Sequence, residues 1–147
     1  MFSKKLKPVF VKKSNLIRIG PKRDGGYVLD KRIINKIEYI ITCGLSDDWE
    51  FEKEFSNMNN RVEVLAFDHT VNSRFWIKRF AKDLINIFLF KKLRIWKIIK
   101  IFRYIDYLNF FSKKNKHLKL MISNKNISNK EITINKILKQ KKNVLLK

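Results

Sequence analysis

The sequence predicts an α/β fold in which helices cover a parallel sheet, and three features of the chain support this prediction. Residues 38–43 and 62–67 are short apolar runs rich in β-branched residues, typical of strands that are buried on both faces. A helix is predicted between them, over residues 49–58, with N-cap side chains just before it. Strand and helix patterns continue to alternate along the chain, which is typical of a parallel sheet.

The N-terminal part is predicted to be an extension and a β-hairpin. Residues 16–19 alternate briefly between apolar and polar, and residues 27–29 form a second short apolar run. Between them lie glycines and an aspartate that tolerate positive φ, as a tight connection requires. We therefore divide the chain into residues 1–37, an extension and hairpin, and residues 38–147, a partial α/β domain.

The rest of the chain predicts further alternating elements. Residues 75–111 have apolar side chains at helical spacing and predict two long helices. A strand is predicted at residues 118–122, a helix at 131–140 and a last strand at 143–147. Because that last run resembles a central strand and nothing follows it, we expect a truncated sheet with about four of its strands.

The formal net charge is +21, from 34 Lys and Arg against 13 Asp and Glu. Such a charge attracts phosphates, anionic lipid or acidic glycans, although an AT-rich coding bias toward lysine, asparagine and isoleucine is the simpler explanation. Four cations gather opposite an apolar stripe and predict peripheral contact with an anionic membrane: Arg94, Lys97, Lys100 and Arg103. Charges interrupt that stripe too often for a transmembrane span, and the chain has no motif for reading bases, so no specific nucleic acid is expected.

The cysteine and histidine content favours a cytoplasmic protein without a metal site. Cys43 is the single cysteine, so no internal disulfide forms, and we expect it to be a small buried strand residue. His69 and His117 have no cysteine or histidine companions at zinc-ligand spacing. The N-terminus is positively charged but no apolar run follows it, which argues against a signal peptide.

Residues 38–68 predict the β-loop-α-β opening of a Rossmann-like, nucleoside-binding domain. Gly44 lies where a strand turns toward a helix, and the absence of a side chain there lets a ligand approach the backbone. Asp68 ends the following strand, where a carboxylate can accept hydrogen bonds from both ribose hydroxyls. Purely structural roles explain the same two residues, with Gly44 as a turn residue and Asp68 as a cap at the strand end. Because only one glycine is present in place of a Gly-x-Gly-x-x-Gly motif, the binding of a pyrophosphate has little support.

Four further segments of the chain form a recognisable pattern: residues 19–21, 24–28, 43–52 and 66–70. The Asp-Gly-Gly-Tyr element at 24–27 and the loop at 47–52 are its most distinctive parts. Together these segments resemble the N-terminal half of FkbM-type methyltransferases, and more narrowly a branch with an Asp-Gly-Gly-Tyr element before the first nucleotide-binding strand. Family members usually continue from such a last strand into Lys-Asp-x-Glu-Gly, of which only Lys147 is present in this sequence.

The resemblance implies S-adenosylmethionine as cofactor and a Rossmann-like methyltransferase sheet. It implies that Gly44 and its loop, with Ser46 and Asp47, lie under the methionine part of the cofactor. It also implies that Asp68 holds the ribose and that Glu52 is a loop-stabilising or cofactor-proximal acid; a solvent-facing helix residue is the alternative for Glu52. The acceptor is expected to be a hydroxyl of a sugar, glycan or other small molecule, and no catalytic base is assigned, although His69 is adjacent to Asp68.

Three functional classes therefore remain open. The first is the cofactor-binding half of a methyltransferase, located in the cytoplasm or at the inner face of the membrane. The second is a basic amphipathic module that binds an anionic membrane surface. The third is a non-functional remnant of an interrupted reading frame.

Overall fold

The structure is a computed structural model that describes residues 10–22, 25–89, 102–125 and 128–147, with the side chains of 86–89 excepted. Short 3₁₀ helices at Lys13–Asn15 and Lys31–Lys36 flank an N-terminal hairpin. In chain order, the strands and helices are β1 (Leu16–Ile19), β2 (Tyr27–Asp30), β3 (Tyr39–Cys43), α1 (Glu50–Met58), β4 (Glu63–Phe67), α2 (Ser73–Leu89), α3 (Arg103–Phe110), β5 (Lys116–Leu118), β6 (Met121–Ile122), β7 (Glu131–Ile132), α4 (Ile134–Leu138) and β8 (Val144–Leu146).

Strands β5, β4, β3 and β8 form a parallel sheet in that spatial order. The registers align Tyr39 with Glu63 and with Val144, so the strands begin at one edge and end at the other. Strands β1 and β2 form a separate antiparallel hairpin. The predicted hairpin and the parallel α/β sheet are thus confirmed, and the architecture is compatible with a Rossmann-like fold.

Helices pack on both faces of this sheet because successive strand side chains point in opposite directions. On one face, Phe51 and Phe55 of α1, one turn apart, pack with Ile40, Val64 and hairpin residue Ile19. On the other face, Ile137 of α4 packs against the alternate strand residues Ile41, Leu65 and Phe67. Both faces of β3 and β4 are therefore buried, as their continuous apolar sequences predict.

Two predicted boundaries are wrong. The strand expected over residues 118–122 is split, since Lys116–Leu118 joins the main sheet as β5 and Met121–Ile122 pairs with Glu131–Ile132. The helix expected over residues 131–140 therefore begins with a strand and is reduced to α4. Thr133, whose hydroxyl accepts from the Lys136 N–H, caps this helix.

The helical region contains α2 and α3. Of the four cations expected to face a membrane, Arg94, Lys97 and Lys100 lie outside the described residues. Within the described ranges, no helix combines the length and the apolar character needed to cross a bilayer.

Strand β8 was expected to be central in the sheet. Among the described residues it pairs only with β3, and its last residue, Leu146, is 55% exposed. Its position beside β3 nevertheless places Lys147 at the edge where β3 ends.

Candidate functional site

The carboxyl-terminal edge of the sheet brings several predicted site residues together. From β3 the chain proceeds outward to β4 and β5, and β8 then returns to the opposite side of β3. In open α/β sheets, ligands bind outside the carboxyl ends of strands where the strand order reverses in this way. Gly44, Asp68 and Lys147 directly follow β3, β4 and β8 at this edge.

Gly44 begins a tight loop after β3. Its φ of +95° lies in the left-handed region, so the backbone conformation favours glycine. A Cβ built at this position would meet no heavy atom within 4 Å, which leaves open space beside the backbone. Ser46, also in the loop, is a non-glycine residue with a φ of +51°. The loop thus leaves its backbone open to approach at Gly44.

Asp68 holds this loop through its carboxylate. Oδ2 accepts hydrogen bonds from the backbone N–H groups of Leu45 (2.8 Å) and Ser46 (3.0 Å). Oδ1 accepts from the backbone N–H (2.8 Å) and hydroxyl (2.6 Å) of Thr70. An ionised carboxylate has about four lone-pair sites, and four donors occupy them here. A ribose would therefore have to replace some of these donors.

The same contacts keep Asp68 ionised. Burial alone would raise the pKa of Asp68, but the hydrogen bonds from Ser46, Thr70 and Leu45 outweigh burial and lower this pKa to about 2. A charged acceptor is thus maintained at the end of β4 throughout the neutral range.

Glu52 is fully buried although it lies in the first turn of α1. Its Oε1 accepts from the Thr42 hydroxyl (2.6 Å) and from Lys147 Nζ (2.8 Å). Its Oε2 is also buried and has no hydrogen-bond partner among the described residues. The solvent-facing alternative for Glu52 is therefore excluded, and one carboxylate oxygen remains able to accept a donor.

Lys147 connects this acid to the aromatic side chains of the hairpin and α1. Its ammonium group lies 5.6 Å from the ring centre of Tyr27 and 5.2 Å from that of Phe51. These rings and Glu52 partly replace the hydration that a buried ammonium loses. Tyr27 belongs to the Asp-Gly-Gly-Tyr element, so the hairpin and the end of β8 meet at Glu52.

The loop acids Asp47 and Asp48 anchor the loop to the helices. Asp47 Oδ2 lies 2.7 Å from Arg79 Nη2 of α2. Asp48 accepts from the backbone N–H of Glu50 (3.0 Å), but the N-cap residue of α1 is Trp49 and its side chain makes no capping hydrogen bond, so the N-cap predicted at residues 46–48 is wrong. Arg103 lies 3.8 Å from both Asp48 and Glu50 and 5.4 Å from the Trp49 ring centre, so it contacts the loop region.

His117 and Tyr107 form a contact pair that the sequence did not predict. His117 Nε2 donates to the Asp68 carbonyl oxygen (2.9 Å), so its Nδ1 accepts from the Tyr107 hydroxyl (2.5 Å). Burial lowers the pKa of His117 and raises the pKa of Tyr107, and both effects favour this neutral arrangement. The strand predicted at 118–122 does not include His117. A strand boundary two residues earlier would have placed His117 in β5, beside the end of β4.

Two smaller expectations concern residues beside the site. Cys43 was expected to be buried, and this is wrong: it ends β3 and is exposed at the edge of the sheet. His69 is exposed next to Asp68. In the described ranges, no group of three or more His, Cys, Asp or Glu residues is arranged to hold a metal ion.

Comparisons of the chain with protein-family models, with curated proteins and with solved structures found no match.

Proposed function

We propose that this chain is the cofactor-binding part of an S-adenosylmethionine-dependent methyltransferase that acts on a hydroxyl of a sugar, glycan or other small molecule. The observation that carries the proposal is the open Gly44 turn beside Asp68 and Glu52 at the point where the strand order reverses. The resemblance of residues 19–21, 24–28, 43–52 and 66–70 to FkbM-type methyltransferases supports the choice of cofactor.

The residues fit the cofactor in two respects. The space beside Gly44 admits a ligand close to the backbone. The buried Glu52 Oε2 has no partner among the described residues, and an ammonium group such as that of a methionine moiety would satisfy it once the side chains that cover this oxygen move aside. Ser46 and Asp47 belong to the loop that would lie against this moiety.

Asp68 fits by position, but its acceptor capacity is already used. We propose that a ribose hydroxyl replaces the Thr70 hydroxyl at Oδ1, because a hydroxyl rotor yields more readily than a backbone N–H group. The backbone N–H groups of Leu45, Ser46 and Thr70 would then keep the carboxylate in place while Oδ1 accepts from the ribose hydroxyl.

When bound, the sulfonium cofactor supplies an activated methyl group, and alignment with the acceptor oxygen provides much of the rate. Residues of this chain would bind and orient the cofactor. The acceptor oxygen profits from a general base within hydrogen-bond reach, and no residue is assigned to this role.

Isothermal titration of the purified chain with S-adenosylhomocysteine tests the proposal. We expect saturable binding that Asp68→Ala abolishes. Glu63→Ala removes an acid from the amino end of the same strand and is the matched control, which should bind like the unmodified chain. Cooperative thermal unfolding establishes that each variant is folded. Absence of binding by the folded chain would refute the proposal, and so would equal binding by Asp68→Ala.

A further inference from the structure

Helices α2 and α3 expose a mixed apolar and basic surface that the cofactor site does not use. The apolar members on α2 are Ile77 and Phe80. Those at α3 are Ile105 and Leu108 in the helix and Phe102 at its N-cap; each of the five is between 46% and 67% exposed. These five residues, together with the exposed cations Arg74, Lys78 and Lys82 of α2, are called the α2–α3 surface. Contiguous apolar exposure of this kind marks an interaction site more often than isolated exposed residues do.

Helix α2 also carries a row of exposed cations. Arg74, Lys78 and Lys82 recur every four residues, so they lie on one helix face, and all three are exposed. Within the described part of the chain, no carboxylate lies within ion-pair distance of them. The neighbouring acid Asp83 lies 3.5 Å from Arg79, so its ion pair is with Arg79 and not with the three cations of the row.

An apolar cavity of about 580 Å³ lies between the two helices. Ile77 and Phe80 line one side, and Phe102 and Ile105 line the other. Its few polar groups include Arg79 and Asp83, which are paired with each other. Helix α2 therefore contributes apolar residues to a hydrophobic recess and also carries exposed cations that do not line it.

We propose that the α2–α3 surface docks on an anionic lipid bilayer. Apolar side chains of an interfacial helix enter the boundary between headgroups and acyl chains, while cations beside them contact anionic headgroups. The complementary charge of the row of cations, within a chain of net charge +21, identifies an anionic surface as the partner.

Vesicle sedimentation tests the docking surface. The full chain is mixed with vesicles of phosphatidylcholine alone or of phosphatidylcholine with phosphatidylserine, and we expect binding to the second kind only. Lys78→Glu with Lys82→Glu should weaken this binding by roughly thirtyfold or more, because each lysine near an anionic surface contributes about fivefold. Lys139→Glu with Lys142→Glu makes the same charge change at exposed positions after α4, which covers the opposite face of the sheet.

A matched pair of substitutions tests the contribution of the apolar residues to vesicle binding. Ile77→Ser should weaken binding to the anionic vesicles, whereas Val28→Ser, at an exposed apolar position of the hairpin, should not. Both wild-type side chains are more than half exposed, so neither change should prevent folding. Equal loss with both lysine pairs would show diffuse charge attraction and overturn the proposal. Absence of binding to the anionic vesicles would also overturn it, and so would self-association through this surface in its place.

Discussion

Asp68 and Glu52 are two buried acids at the same edge of the sheet, and their surroundings differ. All four acceptor positions of Asp68 are occupied by donors from two loops. Glu52 uses one oxygen for Thr42 and Lys147, and its other oxygen has no partner among the described residues. Asp68 is thus a complete hydrogen-bonded centre, whereas Glu52 is an incomplete one.

This difference suggests separate roles for the two acids, one in supporting the loops and the other in binding a ligand. A buried carboxylate with all of its donors in place fixes the loops that supply them. A buried carboxylate oxygen without a donor costs free energy, and that cost is recovered when a ligand supplies the missing donor. Asp68 therefore shapes the Gly44 turn, and Glu52 offers the unused acceptor.

The largest expected effect comes from removing the partner of Glu52. Lys147→Met should lower the free energy of unfolding by roughly 3 kcal/mol, because it leaves a fully buried carboxylate without its counter-charge. Urea-induced unfolding followed by circular dichroism measures the change.

Glu52→Gln in the Lys147→Met background is the control for this prediction. It removes the uncompensated charge, and we expect it to restore much of the lost stability. If Lys147→Met alone is neutral, the ion pair does not hold β8 to α1 as described.

A smaller effect is expected from Asp68→Asn, which should cost about 2 kcal/mol at neutral pH. The pKa of Asp68 is lowered from 3.8 to about 2, so its stabilising contribution is present above pH 3.8 and lost as the pH falls through about 2. The unfolding free energies of the two proteins should therefore converge over this acid range. A difference that does not change between neutral and acid pH would contradict the assigned hydrogen bonds.

The smallest effect is expected from Thr70→Val, which should reduce stability by about 1 kcal/mol because one hydrogen bond to Asp68 is lost. If the proposed function is correct, the affinity for S-adenosylhomocysteine should rise several-fold, since Oδ1 is then more accessible to a ribose hydroxyl. Thr42→Val, which removes a donor from Glu52 instead, is the comparison variant. Weaker binding by Thr70→Val would show that its hydroxyl does not compete with the ligand.

The sequence predicted the elements that carry strong local signals. The apolar β-branched runs predict β3 and β4, and the glycine turn predicts the hairpin, because each signal lies in a few neighbouring residues. The shorter elements were misplaced. Lys116–Leu118 and Met121–Ile122 are too short for periodicity to separate, and only their different partners, β4 and β7, show that they are two strands.

The amino-acid sequence by itself determined that strands and helices alternate, that Gly44 ends one strand and that Asp68 ends the next. Only the tertiary structure decided which donors surround each acid. Lys147 reaches Glu52 because β8 pairs beside β3, and His117 reaches the Asp68 carbonyl oxygen because β5 pairs beside β4. Local propensity acts over a few neighbouring residues, whereas these contacts join distant segments through strand order and register, which the packing of the whole sheet fixes.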